Sequence, residues 1–197
     1  MVPTARATLL SATLGVLAAV AVLQAAKVQV KADQDKQFDF KNVRTWGWDI
    51  EEAGDVKMAR AADDDPAPIK KRYGPTIVDA ITRELTQLGL AAAAPPATPD
   101  LRFHYYLLVT VGFDTQTMGQ FLPAVPLWGL PPFAPSTSAY SIIQQGSLVL
   151  DAVSPAAGRV VWRCIAQTEI ELERTPEQRD KRLREVIHEL VRRLPRK

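Results

Sequence analysis

Residues 101–113 read LRFHYYLLVTVGF, and this stretch decides the class of fold. Apolar and aromatic side chains occupy every odd-numbered position, whereas Arg102, His104 and Tyr106 are among the even-numbered ones. Successive side chains of a strand point to opposite faces, so the alternation predicts a long strand with one apolar face.

Two further strands are predicted downstream, over about 140–153 and 159–173. Residues 154–158, SPAAG, separate them and supply the turn residues of a hairpin. Trp162 and Cys164 share the apolar face of the second of these strands.

Two helices are predicted from apolar residues spaced three and four apart. The first opens at Gly74 and stops at Gly89, a residue that commonly ends helices. The second has a strong start signal, because Thr175 can cap it, Pro176 suits the first helical position, and Gln178 lies three residues after the cap.

The remaining segments complete the order of elements. Residues 28–32 and 38–48 predict extended chain, and the polar residues 51–68 predict a surface loop. The order strand, strand, helix, strand, hairpin, helix indicates an α+β fold. We expect a largely antiparallel sheet of about five strands, with two main helices packed on one face and an N-terminal hydrophobic helix in front.

Residues 7–26 form an uncharged stretch, mostly Ala, Leu and Val, that follows Arg6. This pattern is typical of a secretory signal peptide, here cleaved near Ala25 or Ala26. A helix of this length, at ~1.5 Å per residue, also spans a bilayer core of ~30 Å. An uncleaved anchor, with membrane contact through residues 7–26, is therefore the alternative.

These features predict a bacterial envelope protein facing the periplasm. Residues 1–26 are the signal peptide or membrane anchor, and residues 27–197 are a single α+β domain. The only cysteine is Cys164, so neither an intramolecular disulfide nor lipidation at the cleavage region is expected. Nucleic acid is not expected as a partner, because the 24 basic residues are balanced by 22 acidic ones.

Candidate residues for chemistry include His188, Cys164 and His104. His188 and Glu189 begin like the zinc motif His-Glu-x-x-His, but Arg192 occupies the second histidine position. Cys164 is in phase with an apolar face, which predicts a buried, inert thiol. His104 is expected to lie on the sheet surface, stacked on cross-strand neighbours. We therefore predict no catalytic residue, no cofactor and no metal.

Residues 114–139 are an unusually long proline-bearing segment with apolar side chains. The segment either folds back over the sheet or exposes an apolar patch to an envelope protein, glycan or lipid partner. Its candidate partner-binding residues are Phe121, Leu122, Trp128, Leu130 and Phe133.

Several short segments together carry a family resemblance. They are FDF at 38–40, TWGW at 45–48, PDL at 99–101, GSLVLD at 146–151 and GRVVWR at 158–163. In this order they resemble the domain of unknown function 4136 family of bacterial envelope proteins. The resemblance implies a periplasm-facing domain, often found in lipoproteins, with no established activity and no agreed catalytic residues. This chain departs from the family in lacking a lipidation cysteine and in having Cys164 where glycine is usual.

Three hypotheses about function follow. The first is a non-catalytic envelope module with a binding or structural role. The second is a hydrolase-like enzyme whose site assembles only in three dimensions, using His104 or Asp151. The third is a structural domain anchored in the inner membrane through residues 7–26.

Overall fold

A computed structural model of the chain describes residues 28–59, 65–110, 146–167 and 175–195. Seven strands in these ranges form one sheet, and two α-helices accompany it. The strands are β1 (Gln29–Gln34), β2 (Thr45–Trp48), β3 (Gly54–Ala59), β4 (Ala91–Ala92), β5 (Leu101–Thr110), β6 (Gly146–Ser154) and β7 (Arg159–Gln167). The helices are α1 (Ala67–Gln87) and α2 (Pro176–Val191), and a short 3-10 turn covers Phe40–Asn42.

The strand order is β1-β7-β6-β5-β2-β4, and β3 pairs with β5 as well. The pairs β1–β7, β7–β6 and β6–β5 are antiparallel. β2 and β3 both run parallel to β5, and β4 runs parallel to β2. The sheet is therefore mixed and has seven strands, where about five, largely antiparallel, were predicted. Apolar alternation reveals that a strand exists but not the direction of its partner, which explains the error.

The β3 strand lies inside the segment predicted to be a polar loop. Its sequence is GDVKMA, in which Val56 and Met58 alternate with Asp55 and Lys57. This alternation is too short to distinguish a strand from the polar sequence around it. Backbone pairing with β5 holds it, from Gly54 opposite Tyr105 to Ala59 opposite Thr110. A strand at an edge of a sheet can be polar in this way, because it needs to bury little of its own surface.

The α1 helix begins at Ala67, earlier than predicted, and Pro75 lies inside it. Gly74 is buried where α1 approaches the sheet, and a Cβ atom there would lie 3.1 Å from the Tyr105 hydroxyl oxygen. Gly74 therefore permits a close approach and does not mark the helix start. The predicted stop is confirmed, since Gly89 follows α1 with φ of +81°.

The start of α2 agrees with the prediction in detail. The Gln178 backbone N–H donates to Thr175 Oγ1 at 3.3 Å, and the Thr175 N–H donates to Gln178 Oε1 at 3.0 Å. This reciprocal pair is a capping box, and Pro176 occupies the first helical position.

One hydrophobic core joins both helices to one face of the sheet. Trp162 on β7 and Leu190 on α2 belong to the same cluster, as the apolar patterning requires. The largest members from the helices and from the sheet, all fully buried, are Ile77, Ile81, Leu85, Ile187, Leu190, Leu101, Phe103, Leu150 and Trp162. In the described ranges, neither helix is both long and apolar enough to cross a membrane. The predicted N-terminal helix lies outside the described residues.

Candidate functional site

The face of the sheet opposite this core carries a row of polar side chains across four strands. Asp33 on β1 is opposite Arg163 on β7, Arg163 is opposite Asp151 on β6, and Asp151 is opposite His104 on β5. Directly opposed residues of antiparallel strands project to the same side of a sheet. These four residues, called the polar row below, are the candidate site.

The centre of the polar row is a bidentate ion pair. Arg163 Nε donates to Asp151 Oδ1 at 2.6 Å, and Arg163 Nη2 donates to Asp151 Oδ2 at 2.5 Å. Each side chain is only 1% exposed. Burial raises the pKa of Asp151, and the Arg163 guanidinium opposes that increase. The two charges thus satisfy each other inside the protein.

His104 lies beside this pair without joining it. Its side chain is 13% exposed, its Nδ1 atom is 3.4 Å from Asp49 Oδ2, and neither ring nitrogen makes a hydrogen bond to a residue that the structure describes. The ring lies against Tyr106, with 4.5 Å between centroids. His104 therefore stacks on a residue of its own strand, where cross-strand neighbours were predicted. Its side chain is also more buried than the sheet-surface position that was predicted. Burial and the nearby Asp151 carboxylate raise the pKa of Tyr106.

Among the described residues, Ser147 is the serine of β6 that lies on the same face as the polar row. The strand register places it away from His104. Ser147 is opposite Leu108, whereas His104 is opposite Asp151. Four residues of strand correspond to ~13 Å, far beyond hydrogen-bond reach. Since Arg163 also occupies both Asp151 oxygens, Ser147, His104 and Asp151 do not form a nucleophile, base and orienting acid.

The other residues singled out from sequence lie apart from the polar row. His188 Nδ1 is 2.8 Å from Glu84 Oε2 and joins α2 to α1, and Arg192 pairs with Glu189 at 2.6 Å. His188 and Arg192 are both exposed. Within the described ranges, no group of three or more His, Cys, Asp or Glu side chains is arranged to hold a metal ion.

Cys164 is fully buried in the core, which confirms the prediction of a buried thiol. Burial raises its pKa to about 12. The candidate partner-binding residues of the 114–139 segment lie outside the described residues; they are Phe121, Leu122, Trp128, Leu130 and Phe133.

The polar row itself was not predicted from sequence. Asp151 and Arg163 are the last residues of the GSLVLD and GRVVWR segments, and a charged residue inside each apolar strand was the available signal. What the sequence does not contain is the register that pairs residue 151 with residue 163.

Comparison with known proteins finds a family whose model matches most of the chain. The model of a domain of unknown function, DUF4136, matches residues 30–196. None of the curated proteins matches the chain. A solved DUF4136 family protein from Bacteroides thetaiotaomicron is 19% identical, with a TM-score of 0.47 over 82% of this chain and 92% of that one.

Two further solved structures match the chain. A PDZ domain protein from Parabacteroides distasonis is 16% identical, with a TM-score of 0.50, and the match covers 87% of this chain and 36% of that one. This chain therefore spans about a third of that protein's length. The PelC dodecamer from Paraburkholderia phytofirmans is 9% identical, with a TM-score of 0.35 over 83% of this chain and 98% of that one.

Proposed function

The chain belongs to the domain of unknown function family DUF4136, and we propose that it is a non-catalytic binding or structural module of the bacterial envelope. One part of this proposal concerns the chemistry of the polar row, and the other concerns location. Each part has its own support and its own experiment.

The pairing of Asp151 with Arg163 carries the first part. A catalytic acid, base or cation has to reach the reacting atoms of a substrate. Here both carboxylate oxygens accept hydrogen bonds from one guanidinium, and both side chains are withdrawn from solvent. The charges are directed at each other, which favours a role in holding β6 against β7 over a role in catalysis.

The environment of His104 supports the same reading. A histidine that acts as a general base is normally oriented by a hydrogen bond to its second nitrogen. Neither ring nitrogen of His104 has such a bond to a residue that the structure describes, and the nearest carboxylate atom is Asp49 Oδ2 at 3.4 Å. The hydrolase alternative based on His104 or Asp151 therefore has weaker support.

The second part rests on the sequence of residues 7–26. A fusion of residues 1–30 to a reporter enzyme that requires disulfides tests export, because disulfides form outside the bacterial cytoplasm. We expect an active reporter, and an inactive one would overturn the envelope location. Intact mass of the native protein then separates a cleaved signal, with a loss of about 25 residues, from a retained anchor.

A triple variant tests the first part. It carries Asp151→Leu and Arg163→Met, which replace the ion pair by apolar side chains, together with His104→Gln. In a strain whose loss of the protein causes a growth defect, its expression should correct that defect as well as the wild type does. An Ile50→Ala variant is the control for a change at an exposed side chain, because Ile50 is 74% exposed.

The fold of the triple variant is verified by its thermal unfolding and its level in the envelope fraction. A folded, normally abundant triple variant that fails to restore growth would overturn the non-catalytic proposal. If the triple variant does not fold, His104→Gln alone is scored by the same criterion.

A further inference from the structure

The β1 strand lies at one end of the sheet. Its six residues, Gln29–Gln34, pair with β7 in an unbroken antiparallel register. Among the strands that the structure describes, none lies on the other side of β1. Four of the six residues are exposed, and neither a proline nor a bulge interrupts them. A regular edge strand of this kind can pair with a further strand.

The backbone of β1 presents alternate residues to this outer edge. The Asp35 N–H donates to the Val161 carbonyl oxygen at 2.8 Å, which continues the register of β1 with β7. In an antiparallel ladder, residues that bond to one neighbour alternate with residues whose N–H and C=O groups point away from it. Counting back from Asp35, the odd-numbered residues of β1 bond to β7. The residues that direct their backbone groups outward are Val30, Ala32 and Gln34.

The charge pattern of β1 is complementary to itself. A two-fold axis through one residue places that residue opposite its own copy, with the two strands antiparallel and their outward backbone groups aligned. An axis at Lys31 would oppose two lysines, and an axis at Asp33 would oppose two aspartates. An axis at Ala32 instead puts Lys31 of each copy opposite Asp33 of the other. Opposite charges that face each other across strands are favourable, whereas like charges are not.

The other end of the sheet is less suited to such pairing. There β4 consists of two residues, Ala91 and Ala92, which limits the hydrogen bonds that it can offer. In β3, Asp55 and Lys57 form an ion pair with each other at 2.6 Å, and Lys70 is 4.0 Å from the other Asp55 carboxylate oxygen. The charges of β3 are therefore already matched within one chain.

We propose that β1 is a docking edge for a second copy of this chain. The two copies pair antiparallel about a two-fold axis at Ala32, and their sheets continue into one. Backbone hydrogen bonds hold the two strands together, and the contact of Lys31 with Asp33 of the second copy sets the register. This pairing follows from the geometry and charge of β1 and does not depend on the proposed function.

Disulfide crosslinking tests the register. A single cysteine replaces Ala32 or Gln34 in the full chain with Cys164→Ala, and its mild oxidation is followed on non-reducing gels. Both positions are exposed and lie on the same side of the strand. At the proposed register, residue 32 and its copy are about 5.5 Å apart at Cα, which is within disulfide range. Residue 34 and its copy are about 13 Å apart.

We expect Ala32→Cys to form a crosslinked dimer at least about 10-fold faster than Gln34→Cys, because only the first pair can meet disulfide geometry. Equal rates would indicate random collision and would overturn the proposal. Absence of crosslinking in Ala32→Cys would also overturn it, and is the result expected if another segment of the chain or a different protein covers this edge.

A charge exchange tests the proposed contact independently. Lys31→Glu opposes Asp33 of the second copy with a like charge, and Asp33→Lys opposes Lys31 in the same way. Each variant alone should therefore dimerise at least about 5-fold more weakly than the wild type at low salt. A mixture of the two variants has opposite charges at both contacts and should recover the wild-type association.

Sedimentation velocity of the full chain in a mild detergent measures this association. A monomeric wild type would overturn the proposal. Folded single variants that dimerise as well as the wild type would overturn it too, and so would a folded mixture that does not recover dimers.

Ala32→Pro covers the case in which a charge variant does not fold. The Ala32 N–H points away from β7, so proline there removes no hydrogen bond between β1 and β7 but blocks pairing with a second copy. We expect a folded monomer whose thermal unfolding is close to that of the wild type. Dimerisation of folded Ala32→Pro at the wild-type level would overturn the proposal.

Discussion

Thr45 and Asp100 are hydrogen-bonded in both directions. Asp100 Oδ2 accepts from the Thr45 N–H at 2.8 Å and from Thr45 Oγ1 at 2.9 Å, and the Asp100 N–H donates to the same Oγ1 atom at 3.0 Å. The Arg44 N–H donates to Asp100 Oδ2 as well, at 2.9 Å. These bonds lie where β2 meets β5, so they join two segments that are 55 residues apart in sequence.

We expect Asp100→Ala to lower the free energy of unfolding by about 1–2 kcal/mol, because three donors lose their acceptor at a solvent-accessible position. Asp100→Asn keeps an acceptor oxygen and should cost less. The measurement is urea unfolding at neutral pH. Asp79→Ala, which removes only a surface ion pair with Arg83, is the control and should cost about 0.5 kcal/mol or less. Equal losses in Asp100→Ala and Asp79→Ala would contradict this account.

Acid should weaken the protein partly through Asp35. Arg159 donates to Asp35 Oδ2 from Nε at 3.1 Å and from Nη2 at 2.7 Å, and these bonds hold the pKa of Asp35 below its usual value of about 3.9. A carboxyl group with a lowered folded-state pKa stabilises the fold above its unfolded pKa. That stabilisation is lost as the pH falls through the folded pKa.

We therefore expect the free energy of unfolding to decrease as the pH falls below about 4, and Asp35→Asn to make this decrease shallower. Urea unfolding at several pH values between 6 and 2.5 measures both slopes. Indistinguishable slopes for the wild type and Asp35→Asn would rule out the role assigned to this carboxyl group.

Removal of half of the buried ion pair should be far more damaging than removal of both halves. Asp151→Ala leaves the buried Arg163 guanidinium without this carboxylate and should cost about 3–5 kcal/mol. The double change Asp151→Leu with Arg163→Met removes both charges, so most of that loss should be recovered. Denaturant unfolding of Asp151→Leu, of Arg163→Met and of the double variant that combines them measures the coupling. Additive losses would show that the two side chains act independently.

The Cys164 thiol should be unreactive until the protein unfolds. Its burial raises its pKa to about 12, so almost no thiolate is present at pH 8. We expect labelling by an aromatic disulfide reagent to be at least about 100-fold slower in the native protein than in urea. An Ile50→Cys substitution in a Cys164→Ala chain provides the exposed comparison. Native labelling of Cys164 at the rate of that exposed thiol would contradict the buried position.

Elements with local signals were predicted from the sequence. The alternation of residues 101–110 corresponds to β5, and the Thr175 and Gln178 capping box begins α2. The hairpin turn ends at Gly158 with φ of +63°. Each of these features depends on atoms only a few residues apart, so the sequence itself contains the information.

Elements whose partners are distant could not be predicted in this way. β3 has only a short apolar alternation and is defined by its pairing with β5. Gly74 lies inside α1, where it permits the close approach of Tyr105, a contact that the local sequence does not show. The parallel direction of β2 and β3 depends in the same way on contacts with β5.

By itself, the sequence determined the long strand β5, the hairpin of β6 and β7, the presence of two helices, the apolar faces of these segments, and membership in the DUF4136 family. Only the tertiary structure decided which charges meet, as for Asp151 with Arg163 and for Asp35 with Arg159, 124 residues apart. The physical reason is the distance along the chain over which each interaction acts. Turn geometry, capping and alternation act between near neighbours, whereas the choice of a buried ionic partner depends on strand order and register, which emerge only when the whole sheet has assembled.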